Sequence, residues 1–153
     1  MPQFAVNTDV SVDKSKAEIE RIVSRYGAHG FMSGWQGSQA MVAFEMRNRQ
    51  LRFLLPLPNK TDKAFTLTPS GKNKRTEPEA YKAWEQACRQ KWRALALAIK
   101  AKLEAVDSGI GVFDDEFMAY VVLPGNVTIS ERIGSLDALL EGQKLPPLLP
   151  GPK

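Results

Sequence analysis

The sequence has little of the chemistry that many enzymes and metal sites require. Cys88 is the only cysteine and His29 the only histidine, which excludes an internal disulfide and a metal site built on several histidines. No uninterrupted apolar run reaches the roughly 18 residues of a membrane span. The first residues also lack the basic start and apolar run of a signal peptide. We therefore expect a soluble, cytoplasmic protein that has no contact with a membrane.

Sequence motifs that would indicate catalysis are also missing. There is no Walker A loop, no dinucleotide-binding glycine pattern and no Gly-x-Ser-x-Gly elbow. The acidic residues 114–116 could bind magnesium together with Glu104 or Asp107, but solvated charges or a helix start explain them more simply. His29 fits a turn, and Cys88 lies among buried positions. We predict no catalytic residue, no metal, no cofactor and no enzymatic activity.

The positive charge is concentrated in the middle of the chain. The formal net charge of the 153 residues is +4. Residues 47–102 carry 14 basic and 4 acidic side chains, whereas residues 103–153 carry 3 and 8. The middle can therefore attract phosphate groups. Alternatively, the acidic last third could neutralise this charge within the fold.

The central basic segment contains a long helix, which we predict over residues 76–107. Thr76 and Glu79 have the spacing of a capping box, and Pro78 suits the first turn. At 100° per residue, eight apolar side chains share one face of this helix: Tyr81, Trp84, Cys88, Trp92, Leu95, Ile99, Leu103 and Val106. Four cations flank that face and are called the basic ridge: Lys82, Arg89, Arg93 and Lys100.

A shorter helix and three strands precede the basic helix. Residues 15–26 have helical apolar spacing, with Asp13 or Ser15 as the cap. Residues 29–35, 39–46 and 49–55 are predicted strands. A turn at residues 48–49 would place Phe44 opposite Phe53, Val42 opposite Leu55 and Glu45 opposite Arg52.

The predicted elements define an α+β fold in one domain. It has an N-terminal helix, a three-stranded antiparallel sheet, a long amphipathic basic helix and a small C-terminal α/β extension. We place the domain at residues 15–144, with a flexible N-terminus at 1–14, a mobile basic loop at 59–75 and a proline-rich tail at 145–153. In the extension we expect a short helix or turn near residues 112–120, a strand at 120–123 and a last helix at 129–140.

The basic residues are the candidate site. We predict that nucleic acid contacts eight of them: Arg49, Arg52, Lys74, Arg75, Lys82, Arg89, Arg93 and Lys100. Arginine binds phosphate with two hydrogen bonds and stacks on bases. Trp35 and Tyr120 could add a stacking surface, whereas Trp84 and Trp92 belong to the core. The alternative is that these charges are only a solvated helix face.

Three blocks of sequence resemble small proteins of bacteriophage and prophage genomes. They are RNRQLRFLLPLP (47–58), EQACRQKWRALALAIKAKLEAV (85–106) and FDDEFMAYVVLPGN (113–126). The resemblance covers most of residues 15–150 and implies a phage setting, with no activity or site. In topology alone, a three-stranded sheet backed by a long helix also resembles annealing proteins and, more loosely, double-stranded-RNA-binding domains.

Two functional hypotheses follow from the charge and the phage setting. The first is an accessory protein that binds nucleic acid, DNA rather than RNA, with little sequence preference, in phage replication or recombination. The second is a protein-interaction module that binds or inhibits a host factor through the proline-rich tail and the acidic last third. The oligomeric state and the strandedness of any nucleic acid stay open at this stage.

Overall fold

The elements of the chain follow the predicted order of helix, three strands, long helix and small mixed extension, so the α+β class is confirmed. A computed structural model describes residues 9–149. Its elements are α1 (Val12–Arg25), β1 (Gly30–Gln36), β2 (Gln39–Met46), β3 (Arg49–Pro56), α2 (Lys63–Thr66), α3 (Glu77–Asp107), α4 (Phe113–Phe117), a 3₁₀ turn (Met118–Tyr120), β4 (Val122–Leu123), β5 (Val127–Thr128), α5 (Ile129–Ile133) and α6 (Leu136–Leu140).

Helix α1 begins three residues earlier than predicted because its cap is Ser11. The Ser11 side chain accepts a hydrogen bond from the Lys14 amide at 3.1 Å, which satisfies one of the unpaired donors of the first turn. The predicted caps, Asp13 and Ser15, lie inside the helix. Part of the predicted flexible N-terminus is thus helical, and its residues 1–8 lie outside the described residues.

Helix α3 has the predicted start and end, and only the middle of its predicted apolar face is buried. The Thr76 side chain caps it by accepting a hydrogen bond from the Glu79 amide. Five residues of α3 are buried: Cys88, Trp92, Ala96, Ile99 and Leu103. Tyr81, near the start of the predicted apolar face, is exposed. Within residues 9–149, no helix combines the length and apolar content that crossing a bilayer requires.

The sheet has the order β1-β2-β3 and is antiparallel throughout. The predicted pairing of β2 with β3 is wrong by two residues, because Phe44 lies opposite Leu51 and not Phe53. The hairpin loop consists of Arg47 and Asn48, both with positive φ, so the turn falls one residue earlier than predicted. A two-residue shift preserves the alternation of faces, and each strand residue therefore keeps its predicted side.

One face of the sheet forms the core together with α1, α3 and α4. The members of this cluster are Ile19, Ile22, Val23, Ala40, Val42, Phe44, Met46, Leu51, Phe53, Trp92, Ala96, Ile99, Leu103, Phe113 and Phe117. The opposite face is called the outer face, and its residues Met32 and Leu54 are exposed.

The C-terminal extension attaches to the free edge of β3. Leu51 forms an isolated antiparallel bridge with Val121, and β4 pairs with β5 in a separate two-stranded sheet. A capping box between Thr128 and Glu131 begins α5. The predicted helix at residues 129–140 is divided, because Gly134 has a φ of 71° and ends α5. Residues 130–149 are all exposed.

The segment at residues 59–75, predicted as a loop, contains local structure. Asp62 caps the single turn of α2 by accepting a hydrogen bond from the Ala64 amide. Leu67 and Lys74 form an isolated antiparallel bridge, which closes the segment before α3. The mobility of this segment stays a prediction.

Phe117 joins the extension to the core and offers a test of this arrangement. Its ring contacts the rings of Phe44 and Phe53 edge to face, with centroids 6.4 and 6.3 Å away, and the residue is fully buried. We expect Phe117→Ala to lower the free energy of unfolding by about 3–5 kcal/mol because it removes apolar contacts and leaves a cavity. Urea denaturation measures this loss.

Met118→Ala is the matched control, since the next side chain along the chain is 47% exposed. Its effect should stay within about 0.5 kcal/mol, as is usual for surface substitutions. Equal losses in the two variants would contradict the placement of Phe117 in the core.

Candidate functional site

The basic ridge lies on the flank of α3 that meets α1. Arg93 of the ridge forms an ion pair with Glu18 of α1, and both side chains are largely buried. Arg89 pairs with Glu85 one turn earlier in α3, at 2.8 Å, and also donates to Gln86. Both arginines are therefore neutralised within the fold.

The lysines of the ridge differ from its arginines. Lys82 and Lys100 are exposed, and no hydrogen bond or ion pair joins either side chain to another residue in the described part of the chain. Both could meet an external anion without breaking an internal contact.

Arg49 is held by the acidic segment that follows α3. Its guanidinium donates to both carboxylate oxygens of Asp114, at 2.7 and 2.8 Å, and to the Arg47 carbonyl at 2.6 Å. This hydrogen bonding lowers the pKa of Asp114 and raises that of Arg49. The pair links the β2–β3 hairpin to α4.

Arg52 makes a second link between the hairpin and the extension. It donates to the Asn126 side chain at 2.8 Å, to the Asn126 carbonyl at 2.9 Å and to Glu131 at 3.2 Å. The pKa of Glu131 is lowered, first by the hydrogen bond from the Thr128 amide and then by those from the Thr128 hydroxyl and Arg52. The predicted pairing of Arg52 with Glu45 is wrong, because Glu45 lies opposite Gln50.

The remaining two predicted contacts lie just before α3. Arg75 donates to the carbonyls of Ala64 and Phe65, both at 3.3 Å, and thereby ties α2 to the start of α3. Lys74 is exposed. Among the eight predicted residues, all five arginines thus have contacts within the protein, whereas all three lysines project into solvent.

Three further cations, which were not among the predicted contacts, lie on α1. Lys14, Arg21 and Arg25 are exposed, and their spacing of seven and four residues places them on one helical face together with Glu18. Because Glu18 contacts Arg93, this face borders the basic ridge. Their helical spacing, like that of the ridge, is visible in the sequence.

The predicted aromatic stacking surface is only partly available. Trp35 is 74% exposed, but Tyr120 already stacks on Phe53 with ring centroids 4.0 Å apart. Trp92 is buried, as predicted. The Trp84 indole donates to the Pro58 carbonyl at 2.7 Å, which holds it against the chain that leaves the sheet.

The end of the described chain is unusually apolar for an exposed segment. We call residues 133–149 the leucine segment. Seven of its large apolar side chains are at least 48% exposed: Ile133, Leu136, Leu139, Leu140, Leu145, Leu148 and Leu149. In α6, Leu136, Leu139 and Leu140 have the i, i+3, i+4 spacing of a single helical face.

The described residues include neither a cluster of metal ligands nor an activated cysteine thiol. Within residues 9–149, no three His, Cys, Asp or Glu side chains are grouped as metal ligands. Burial raises the pKa of the Cys88 thiol, which disfavours the nucleophilic thiolate. A pocket of 280 Å³ on the outer face is lined by Met32, Ala43 and Arg52, among others. Its arginine is engaged by Asn126.

Comparison of the chain with protein-family models, with curated proteins and with solved structures finds no match in any of the three. The exposed lysines and the leucine segment are therefore the features that bear on function.

The pair between Arg49 and Asp114 predicts a response to pH. The folded-state pKa of Asp114 is below its unfolded value, so the stability due to the pair is complete above the unfolded pKa. It is lost as the pH falls through the folded pKa. We expect Arg49→Leu to raise the pKa of Asp114 and to reduce the loss of stability on acidification.

An NMR titration of the Asp114 carboxyl measures the first effect, and urea midpoints at neutral and acidic pH measure the second. Lys74→Leu is the control because it removes a cation that contacts no carboxylate. An unchanged pKa of Asp114 in Arg49→Leu would show that the pair does not form in solution.

Proposed function

We propose that the protein is an interaction module that binds another protein through the leucine segment. The observation that carries this proposal is the exposure of seven large apolar side chains within 17 residues at the end of the described chain. Soluble proteins rarely leave such a run in water unless it serves an interface. Its transfer into an apolar groove is favourable at about 25 cal/mol per Å² of buried apolar surface.

The local structure of the leucine segment suits docking into a groove. Leu136, Leu139 and Leu140 of α6 form the spacing that helix-in-groove recognition uses. Because α6 has only five residues, it is marginal by itself and would gain stability in a groove. Pro146 and Pro147 follow, and they restrict the chain before Leu148, which reduces the entropy lost on binding.

Charge gives a further property of the partner. Asp137 and Glu141 flank the leucines of α6, so the groove that accepts them would carry a basic rim. In the phage setting implied by the sequence resemblance, the partner is a host or phage protein, and blocking its groove would inhibit it.

The direct test is co-purification of the full chain with proteins of a bacterial host, after nuclease treatment, followed by titration of the captured protein. We expect Leu136→Asp combined with Leu139→Asp to weaken binding by at least tenfold, because the groove would then have to desolvate two carboxylates.

Ile110→Asp is the matched control, since Ile110 is 86% exposed but lies outside the leucine segment. It should leave the affinity unchanged. The proposal would be contradicted if the complex disappeared on nuclease treatment. It would also be contradicted if Ile110→Asp weakened binding as much as the double variant does.

A second candidate function is nucleic-acid binding, and the exposed cations favour it. Lys82 and Lys100 lie on the same flank of α3 as Arg93, and Lys14, Arg21 and Arg25 share a face of α1 with Glu18, the partner of Arg93. Such a surface would bind the phosphate backbone, DNA rather than RNA, with little sequence preference. The process would be phage replication or recombination.

This second candidate predicts a steep dependence of affinity on salt. Each phosphate that a cation neutralises contributes a slope of about −0.9 to a plot of log affinity against log salt on duplex DNA. We expect Lys82→Gln with Lys100→Gln to make the slope less negative by about 2. Fluorescence anisotropy with labelled single- and double-stranded DNA gives the slope.

Lys144→Gln, in the leucine segment, is the control and should leave the slope unchanged. The ridge arginines are unsuitable for this test because replacing Arg93 also removes the partner of Glu18. An affinity that does not change with salt, or a slope that the lysine variant leaves intact, would exclude this candidate.

A further inference from the structure

Strand β1 has an edge without the usual protection against pairing. Its seven residues, GFMSGWQ, include no charged side chain and no proline. Its ladder with β2 runs without a bulge from Gly30 to Gln36. Within residues 9–149, no strand or isolated bridge pairs with the other edge of β1. Natural edge strands of this length are commonly blocked by lysine, proline or a bulge.

The hairpin geometry identifies the backbone groups on that edge. Even-numbered residues of β2 direct their backbone groups toward β3, since the Leu57 amide donates to the Ser38 carbonyl at 2.7 Å. Alternation along the strand turns the odd-numbered residues of β2 toward β1. In the observed register, the odd-numbered residues of β2 lie opposite the even-numbered residues of β1. The backbone groups of those even-numbered residues therefore point toward β2. The N–H and C=O groups of Phe31, Ser33 and Trp35 therefore point away from the sheet.

We propose that a second copy of this chain pairs with β1, antiparallel, about a two-fold axis at Ser33. Ser33 then lies opposite Ser33 of the second copy, and Phe31 lies opposite its Trp35. All three outward N–H groups of each copy donate to outward carbonyls of the other, which gives six hydrogen bonds between the chains. Shifting the register leaves some of these groups unpaired. The product is a continuous six-stranded sheet.

The side chains are self-complementary in the same register. Phe31 meets Trp35 of the other copy on both sides of the axis, and cross-strand aromatic pairs stabilise sheets. Trp35 is 74% exposed in the single chain, and in the dimer its ring packs against Phe31 of the other copy. On the outer face Met32 meets Gly34, which has no Cβ and no neighbour within 4 Å of the position of one. No charge opposes the pairing, because β1 carries none.

The proposed dimer is tested by placing charges at Ser33, which is exposed and lies on the axis. Sedimentation equilibrium should show a dimer for the wild type and a monomer for Ser33→Lys and for Ser33→Glu, since like charges directly opposite repel. Mixing these two variants should restore a dimer. Ser38→Lys, in the β1–β2 turn, is the control and should remain dimeric.

Amide hydrogen exchange gives a readout that needs no variant. In the dimer the amides of Phe31, Ser33 and Trp35 should be protected, as the even-numbered amides of β1 are by pairing with β2. A monomeric wild type, a dimeric Ser33→Lys, or rapid exchange of those three amides in the wild type would overturn the proposal. Because the proposed dimer interface does not include the leucine segment, the double variant Leu136→Asp with Leu139→Asp should remain dimeric.

Discussion

Burial of one face of the sheet beneath α1, α3 and α4 is the constraint on which the other features depend. The two long helices and the aromatic residues of α4 all pack against that single face. The extension then attaches at β3, where Leu51 bridges to Val121 and Arg52 bonds to Asn126. Within residues 9–149, no strand pairs with the outer edge of β1, and the residues of the leucine segment are all exposed.

Periodicity predicted α1, α3 and the three strands of the main sheet, but it could not fix the pairing of β2 with β3. A register error of two residues leaves every side chain on its predicted face, so the alternation of β2 and β3 fits either pairing. The turn decides between them, and it requires positive φ at Arg47, a residue type that gives no signal for this conformation. The division of the last helix at Gly134 had a visible signal in that glycine.

The sequence predicted which charged residues form the candidate site, but it did not predict which residues they contact in the fold. The spacing on α3 revealed the ridge, yet Glu18 lies 75 residues from Arg93 and Asp114 lies 65 from Arg49. Arginine, with its planar fork, suits such fixed pairs, whereas the strongly hydrated lysine ammonium remains in water. The acidic last third does neutralise part of the middle, through Asp114 and Glu131. This was the alternative that composition left open.

The two uncovered features would act together if both proposals hold. The leucine segment begins at the last residue of α5, and all of its residues are exposed, so it could engage a partner while the sheet and its helices stay unchanged. A dimer through β1 would present two such segments, and the exposed cations around Glu18 would likewise be duplicated. Once one segment is bound, the second binds at an effective concentration set by the dimer and no longer by free diffusion. Weak contacts by each short segment would then suffice for stable binding to a partner that has repeated sites.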